Sequence, residues 1–263
     1  MSTDAVPRAS ALSILEWNLV RLKGYWKNAI IVGVVTPVAF VLALGVGLGT
    51  LVDSGGNSLG VPYLDFVAPA FLAVSALQVA ASDAAFPVMA GFKWVRNYHG
   101  IAATPLTPRQ ISDGVLLAIA VRQAANAIVY LAIIAAFGGL RRWWVLLAIP
   151  AAVLTALAFA APVAALAATV RSEGQAFNVL FRVVVTPMFL FSGTFYPVDR
   201  LPAWGEVLAF VSPLWHGIEL CRGAALGHLG AGAALGHVAY LLAWLVGGTA
   251  LARWRFGVRI ERG

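Results

Sequence analysis

The sequence predicts an all-α membrane protein of six transmembrane helices. An N-terminal amphipathic interfacial helix precedes them, and short external re-entrant helices lie between the fifth and sixth spans. Three observations carry this prediction. Of 263 residues, 61% are hydrophobic and only 11% charged, with a mean hydropathy of +0.86, whereas soluble domains carry about 25% charged residues. Several apolar runs exceed the roughly 20 residues that cross a bilayer as a helix. One apolar and aromatic stretch, residues 187–222, is broken at Ser192-Gly193 and holds Pro187, Pro197, Pro202 and Pro213. Proline removes a backbone donor, and unpaired backbone groups are costly in lipid. Broken backbone at membrane depth must therefore be buried in protein or line a cavity. An external loop rich in interfacial aromatics is the plainer alternative.

Residues 1–28 read as a cytoplasmic tail and interfacial helix, and residues 29–263 as a single six-span domain. Residues 1–10 are polar and contain Pro7, with no apolar core or small-residue cleavage site, so no signal peptide is expected. Leu12, Leu15, Leu19, Leu22 and Trp26 then recur at spacings of three and four, which makes one apolar stripe on a helix. Ser13 and Glu16 fit a capping box. Arg21, Lys23 and Lys27 flank the stripe beside Trp17, Tyr25 and Trp26, as on a helix lying among lipid headgroups. The spans follow at 29–52, 66–89, 112–137, 144–170, 177–191 and 234–254. The fifth is too short to cross alone. Either part of 195–220 completes it, or that stretch dips into the membrane and returns.

Lysine and arginine counts orient the chain. With both termini cytoplasmic, twelve of the eighteen fall on inner segments, four outside (Arg141, Arg142, Arg200, Arg222) and two within spans (Arg122, Arg182). The loop 53–65 has two acids and no base, and reads as external. The net charge of +7 then suits anionic headgroups. No nucleic-acid motif accompanies it, so a nucleic-acid partner is not expected.

The internal loop 91–111 mixes Lys93, Arg96 and Arg109 with Trp94, Tyr98 and His99. A short amphipathic helix over 92–103 is predicted, ending at Thr104-Pro105, with Thr107-Pro108 starting the third span. Its aromatic content suits a docking helix, and interfacial anchoring explains the same residues. Asp83 and Arg122 both sit about 10 Å below the inner surface at 1.5 Å per residue. A buried Arg favours a partner at matching depth; a snorkelling Arg122 and an Asp83 facing a wet cavity are the alternative. His216, Glu219 and Cys221 cluster, with His228 and His237 further on. The spacing matches no metal site, so none is expected. The lone Cys221 forms no intrachain disulfide. Gly45 and Gly49 form a GxxxG that permits close helix approach. A phosphate-binding loop needs Gly-Lys followed by Ser or Thr. The three lysines follow Leu22, Trp26 and Phe92, so no catalytic ATP site is expected.

SGTFYPVDRLP (192–202), SPLWHGIELCRG (212–223) and RNYHGIAATPLTPRQI (96–111) together resemble the membrane subunits of type-2 ABC exporters. The branch is that of nodulation lipo-oligosaccharide export and antibiotic-efflux permeases. The resemblance covers nearly the whole chain. It implies a homodimer in a bacterial cytoplasmic (inner) membrane with two copies of a separate ABC ATPase, which uses ATP and Mg while this chain binds no cofactor. It also implies a coupling helix in 91–111, with Lys93, Trp94, Arg96, Tyr98 and His99 at the ATPase, and external re-entrant helices in 192–222. There Ser192, Gly193, Phe195, Tyr196, Pro197, Trp204, Trp215, His216 and Glu219 are the expected lining of a cargo gate. The Arg141-Arg142 pair outside and the short external segment depart from larger relatives. An ion-coupled transporter is disfavoured by a single deep acid, Asp83, and no inverted repeat. An intramembrane lipid-modifying enzyme is disfavoured because no motif places His216 and Glu219 around a substrate.

Overall fold

The computed structural model describes residues 11–18, 20, 35, 38–56, 59–136, 143–171, 175–227 and 229–262. Among these the regular structure is helical and no strand occurs. In chain order the helices are α1 (11–18), α2 (Val38–Ser54), α3 (Tyr63–Lys93), α4 (Asn97–Ala102), α5 (Pro108–Ala136) and α6 (Trp143–Thr169). They continue as α7 (Gln175–Phe191), α8 (Ala203–Val211), α9 (Pro213–Leu226) and α10 (Ala231–Arg262). Helices α3, α5, α6 and α10 have 31, 29, 27 and 32 residues and are apolar enough to cross a membrane. At 1.5 Å per residue each exceeds the roughly 30 Å hydrocarbon layer. The shorter apolar helices α2 and α7 each contain a wide π turn, at Val41–Leu48 and Leu180–Val185.

Several boundaries differ from the sequence reading. The sixth apolar run is one helix from Ala231 to Arg262, longer than 234–254. The predicted helix 92–103 is divided. Trp94 and Val95 both donate to the Ala90 carbonyl, at 3.0 and 2.9 Å, and close α3. Arg96 then turns left-handed (φ 53°) and α4 starts at Asn97. Residue 11 is already helical, so Ser13 lies inside α1 rather than capping it. The rest of the predicted stripe, at 19 and 21–26, lies outside the described residues, as do 29–34, Phe137, Arg141, Arg142 and His228.

Helix α6 is the centre of the bundle and touches α3, α5, α9 and α10. Its buried face is alanine-rich, including Ala148, Ala152, Ala156, Ala160 and Ala164. Lipid tails are as apolar as side chains, so packing rather than water exclusion joins these helices, and small residues let backbones approach. Gly217 of α9 lies so close to α6 that a Cβ would collide with Thr155, and Gly248 of α10 meets Pro162 in the same way. Gly114 of α5 receives Ile14 of α1, itself buried. Asp53 accepts from the Tyr63 N–H at 3.1 Å, placing a negative charge at the start of α3, where the helix dipole favours it. Leu235, Leu242, Val246 and Trp254 of α10 face outward, as a lipid-facing helix requires.

Candidate functional site

The broken stretch after α7 is held by its own polar groups. Ser192 ends α7 and Gly193 takes φ +75°, a conformation glycine adopts without strain. The Ser192 and Ser212 hydroxyls meet at 3.0 Å, and Ser212 Oγ also accepts from the Leu214 N–H at 3.2 Å, capping α9. Thr194 Oγ1 donates to the Phe189 carbonyl at 3.2 Å and Tyr196 Oη to the Leu190 carbonyl at 2.8 Å. Each returns a partner to backbone left open at the end of α7.

Arg222 of α9 ties these pieces together. Its Nη2 donates to the Gly193 carbonyl at 2.8 Å, Nε to the Phe66 carbonyl at 3.4 Å and Nη1 to Glu219 Oε1 at 2.8 Å. The guanidinium lies 3.8 Å from the Phe66 ring centroid, a cation–π distance. One buried side chain thus joins α3, α9 and the break. The sequence reading counted Arg222 only as an outer charge. Its i,i+3 spacing from Glu219 was the available signal.

Glu219 is therefore engaged by Arg222, and Phe195 packs edge-on against Phe189, ring centroids 5.1 Å apart. Pro197 leads into a single 3-10 turn, Val198–Arg200. Trp204 of α8 is exposed, its ring edge on Phe191. Trp215 and His216 form a seam between α9 and α10. His216 stacks on Tyr240 (3.9 Å), and Trp215 packs against Phe210 and His237. The His216 Nε2–H donates to the Phe210 carbonyl at 3.0 Å, and the His216 and His237 Nδ1 atoms are 2.8 Å apart. With Nε2–H donating to the Phe210 carbonyl, a neutral His216 ring accepts at Nδ1 from His237. No cluster of three metal-binding side chains occurs among the described residues. A cavity of about 270 Å³ opens among α6–α10, lined by Phe159, Pro187, Phe191, Val211 and Trp244 among others.

Between α3 and α5, the turn 94–96 and α4 divide the five residues of the predicted coupling surface by burial. Trp94 and its neighbour Val95 are 61% and 67% exposed, and Arg96 is exposed. Lys93 lies 5.7 Å over the Trp94 ring. Tyr98, by contrast, is buried against Phe92 and Phe256 at 4.8 and 5.7 Å, and His99 meets Phe92 at 6.0 Å. Gly91 leaves the space that the Tyr98 ring fills. Thr107 and Gln110 then form a reciprocal capping box at the start of α5, with the Gln110 N–H to Thr107 Oγ1 at 3.3 Å and the Thr107 N–H to Gln110 Oε1 at 2.9 Å.

Within the bundle, Arg122 Nη1 donates to Asp83 Oδ1 at 2.7 Å, joining α3 and α5. A further ion pair was not anticipated: Arg253 of α10 grips Asp113 of α5 at 2.7 and 2.9 Å, the bidentate geometry that arginine favours.

A family model described as "ABC-2 type transporter" matches residues 12–226. Nodulation protein J of Rhizobium leguminosarum bv. viciae is 32% identical over 240 residues, covering 88% of this chain and 90% of that protein. Nodulation protein J of Sinorhizobium fredii (strain NBRC 101917 / NGR234) is 33% identical over 248 residues, covering 90% and 92%. That of Bradyrhizobium diazoefficiens is 31% identical over 236 residues, covering 88% and 85%.

Proposed function

Because the chain belongs to the ABC-2 type transporter family, we propose that it is the permease of an ATP-driven exporter for an amphipathic or lipid-linked cargo. Two copies form the path, and two separate ABC ATPase subunits bind ATP and Mg. The observation that carries the reading is the broken segment 192–226. Within it Ser212 Oγ accepts from the Leu214 N–H and Arg222 donates to the Gly193 carbonyl, while Thr194 and Tyr196 donate to the Phe189 and Leu190 carbonyls at the end of α7, which is what broken backbone at membrane depth requires. In this reading α2 and α7 complete six spans with the four long helices. Both termini lie in the cytoplasm, the membrane is the bacterial inner membrane, and α8 and α9 are the external re-entrant pair. Phe195, Tyr196 and Trp204 offer apolar, amphipathic surface to cargo at the outer side, which gains roughly 25 cal/mol per Å² shielded from water. The exposed Trp94-Val95 turn, rimmed by Lys93 and Arg96, meets the ATPase. A salt-linked Asp83 does not suit ion coupling, which needs a carboxylate free to exchange its ion.

Co-expression with an ABC ATPase subunit from the same organism tests this reading. A complex of two permeases and two ATPases, hydrolysing ATP only when both subunits are present, is the expected result. Hydrolysis by the isolated chain, or an ATPase that neither binds nor responds to it, would overturn the proposal.

A further inference from the structure

Helix α7 carries a polar stripe of which the fold uses only Thr186, whose Oγ1 donates to the Phe181 carbonyl at 2.9 Å. Asn178, Arg182 and Thr186 recur every four residues, and all three are exposed. On the neighbouring face Phe177 and Val185 are buried, and Phe177 and Phe181 pack on Phe86 of α3 at 5.2 and 6.2 Å. Further round the helix, Val183, Val184 and Pro187 line the cavity shared with α6 and α10. The polar stripe therefore points away from the bundle, beside the α3 contact.

Helix α3 has a counterpart. Ser75, Gln78 and Ser82 follow one another along the face that also carries Phe71 and Phe86, and none of the three is buried. Phe71 stacks on Phe40 of α2 at 3.3 Å, and Phe86 reaches α7. The polar middle of that face thus lies between the α2 contact at one end and the α7 contact at the other, and this interval is termed the cleft. Arg182 stands at its α7 edge, about 10 Å along the helix from Gln175 at 1.5 Å per residue. It makes no hydrogen bond or ion pair with any described residue. A guanidinium at membrane depth is unfavourable against lipid, and such residues face substrate or ion pathways. Its planar fork matches the oxygens of phosphate, sulfate or carboxylate.

We infer that this cleft binds the polar part of the cargo and that Arg182 selects a cargo bearing an anionic phosphate, sulfate or carboxylate group. Ser75, Gln78 and Ser82 face its remaining polar groups across the cleft. The inference rests on the exporter reading above and adds to it a substrate class and a specificity residue.

The permease–ATPase complex in nanodiscs of digalactosyldiacylglycerol, a lipid without phosphate, allows the test. The probe is dodecyl phosphate with a photoreactive diazirine beside the phosphate, and the neutral comparison probe is dodecyl maltoside carrying the same diazirine. Illumination should label α3 or α7, unlabelled dodecyl phosphate should compete while dodecyl maltoside does not, and ATP should reduce labelling as the probe is moved. Arg182→Gln should lower labelling on the order of tenfold, the scale of one lost charged hydrogen bond, and Arg182→Lys should restore part of it at an unchanged melting temperature. Equal competition by dodecyl maltoside, or full labelling of Arg182→Gln, overturns the inference, while ATP-driven movement of either probe leaves the exporter reading standing. Competition by added phosphatidylglycerol together with indifference to ATP assigns Arg182 to a membrane headgroup and also overturns it. If neither an anionic nor a neutral dodecyl probe responds to ATP, the exporter reading falls and the inference falls with it.

Discussion

At Arg222 a single guanidinium bonds two backbone carbonyls and one carboxylate from a buried position. Its removal leaves the Gly193 and Phe66 carbonyls with fewer partners and Glu219 without its cation. Truncating one member of a buried charged pair costs about 3–5 kcal/mol. The lower end applies here, because Glu219 keeps 29% of its side chain exposed. Arg222→Ala should therefore lower the melting temperature by several degrees. Arg222→Lys should recover only part, since an ammonium lacks the fork; a melting curve of each purified variant in detergent checks this. Asp83 and Arg122 call for a double-mutant cycle instead. Asp83→Asn and Arg122→Gln should each destabilise by roughly 2–3 kcal/mol, less than a fully buried pair because Arg122 remains one-third exposed. The double variant should cost less than the sum, whereas strict additivity of the two melting shifts would show that the contact contributes nothing.

The division between Trp94 and Tyr98 belongs to the element scale, because it follows from how α4 sits against α3 and α10. Tyr98 fills the space over Gly91 and meets Phe256, so it holds α4 to the bundle, while the Trp94-Val95 turn stays outside it. Replacing Trp94 and Val95 together by Ala should leave the melting temperature within about 1 °C, since exposed substitutions usually change stability by under 0.5 kcal/mol. The same double variant should reduce ATPase retention at least tenfold if the turn is an interface anchor, such anchors costing about 2 kcal/mol or more on truncation. Tyr98→Ala should show the opposite order, with folding damaged first by about 3 kcal/mol, as for other buried aromatics. Measuring melting and ATPase pull-down on the same preparations separates the two. The sequence showed that 91–111 is aromatic and basic, but not which aromatic points outward, because that depends on the phase at which α3 ends. The two bonds to the Ala90 carbonyl and the left-handed Arg96 set this phase.

For the whole molecule, orientation is the property with the simplest measurement. With Cys221→Ala as background, a cysteine in place of Asp199 should react with an impermeant thiol reagent in intact cells. One replacing Val95 should react only after the membrane is opened. Reaction of both in intact cells would contradict the proposed placement of the termini. The two sites are suitable because both native residues are exposed, so neither substitution disturbs packing. Cys221 itself is fully buried, its thiol against the Ala148 carbonyl at 3.7 Å, and its replacement should change reagent access very little.

The sequence by itself determined the class of this protein and the break at Ser192-Gly193. Apolar length decides whether a segment is stable in a bilayer, and proline and glycine act on the backbone at their own positions. Both are local properties that need no knowledge of neighbours. Depth is almost as local: a rise of 1.5 Å per residue puts Asp83 and Arg122 at the same level, and helix adjacency then brings them to 2.7 Å. Only the tertiary structure decided that Arg222 spans three elements, that Arg253 reaches Asp113 across 140 residues, and that α6 is the hub. Each depends on which faces of which helices meet. In a chain where nearly every helix is apolar on all sides, hydrophobic periodicity carries little information about that choice, and small residues such as Gly217 against Thr155 and Gly248 against Pro162 make it instead.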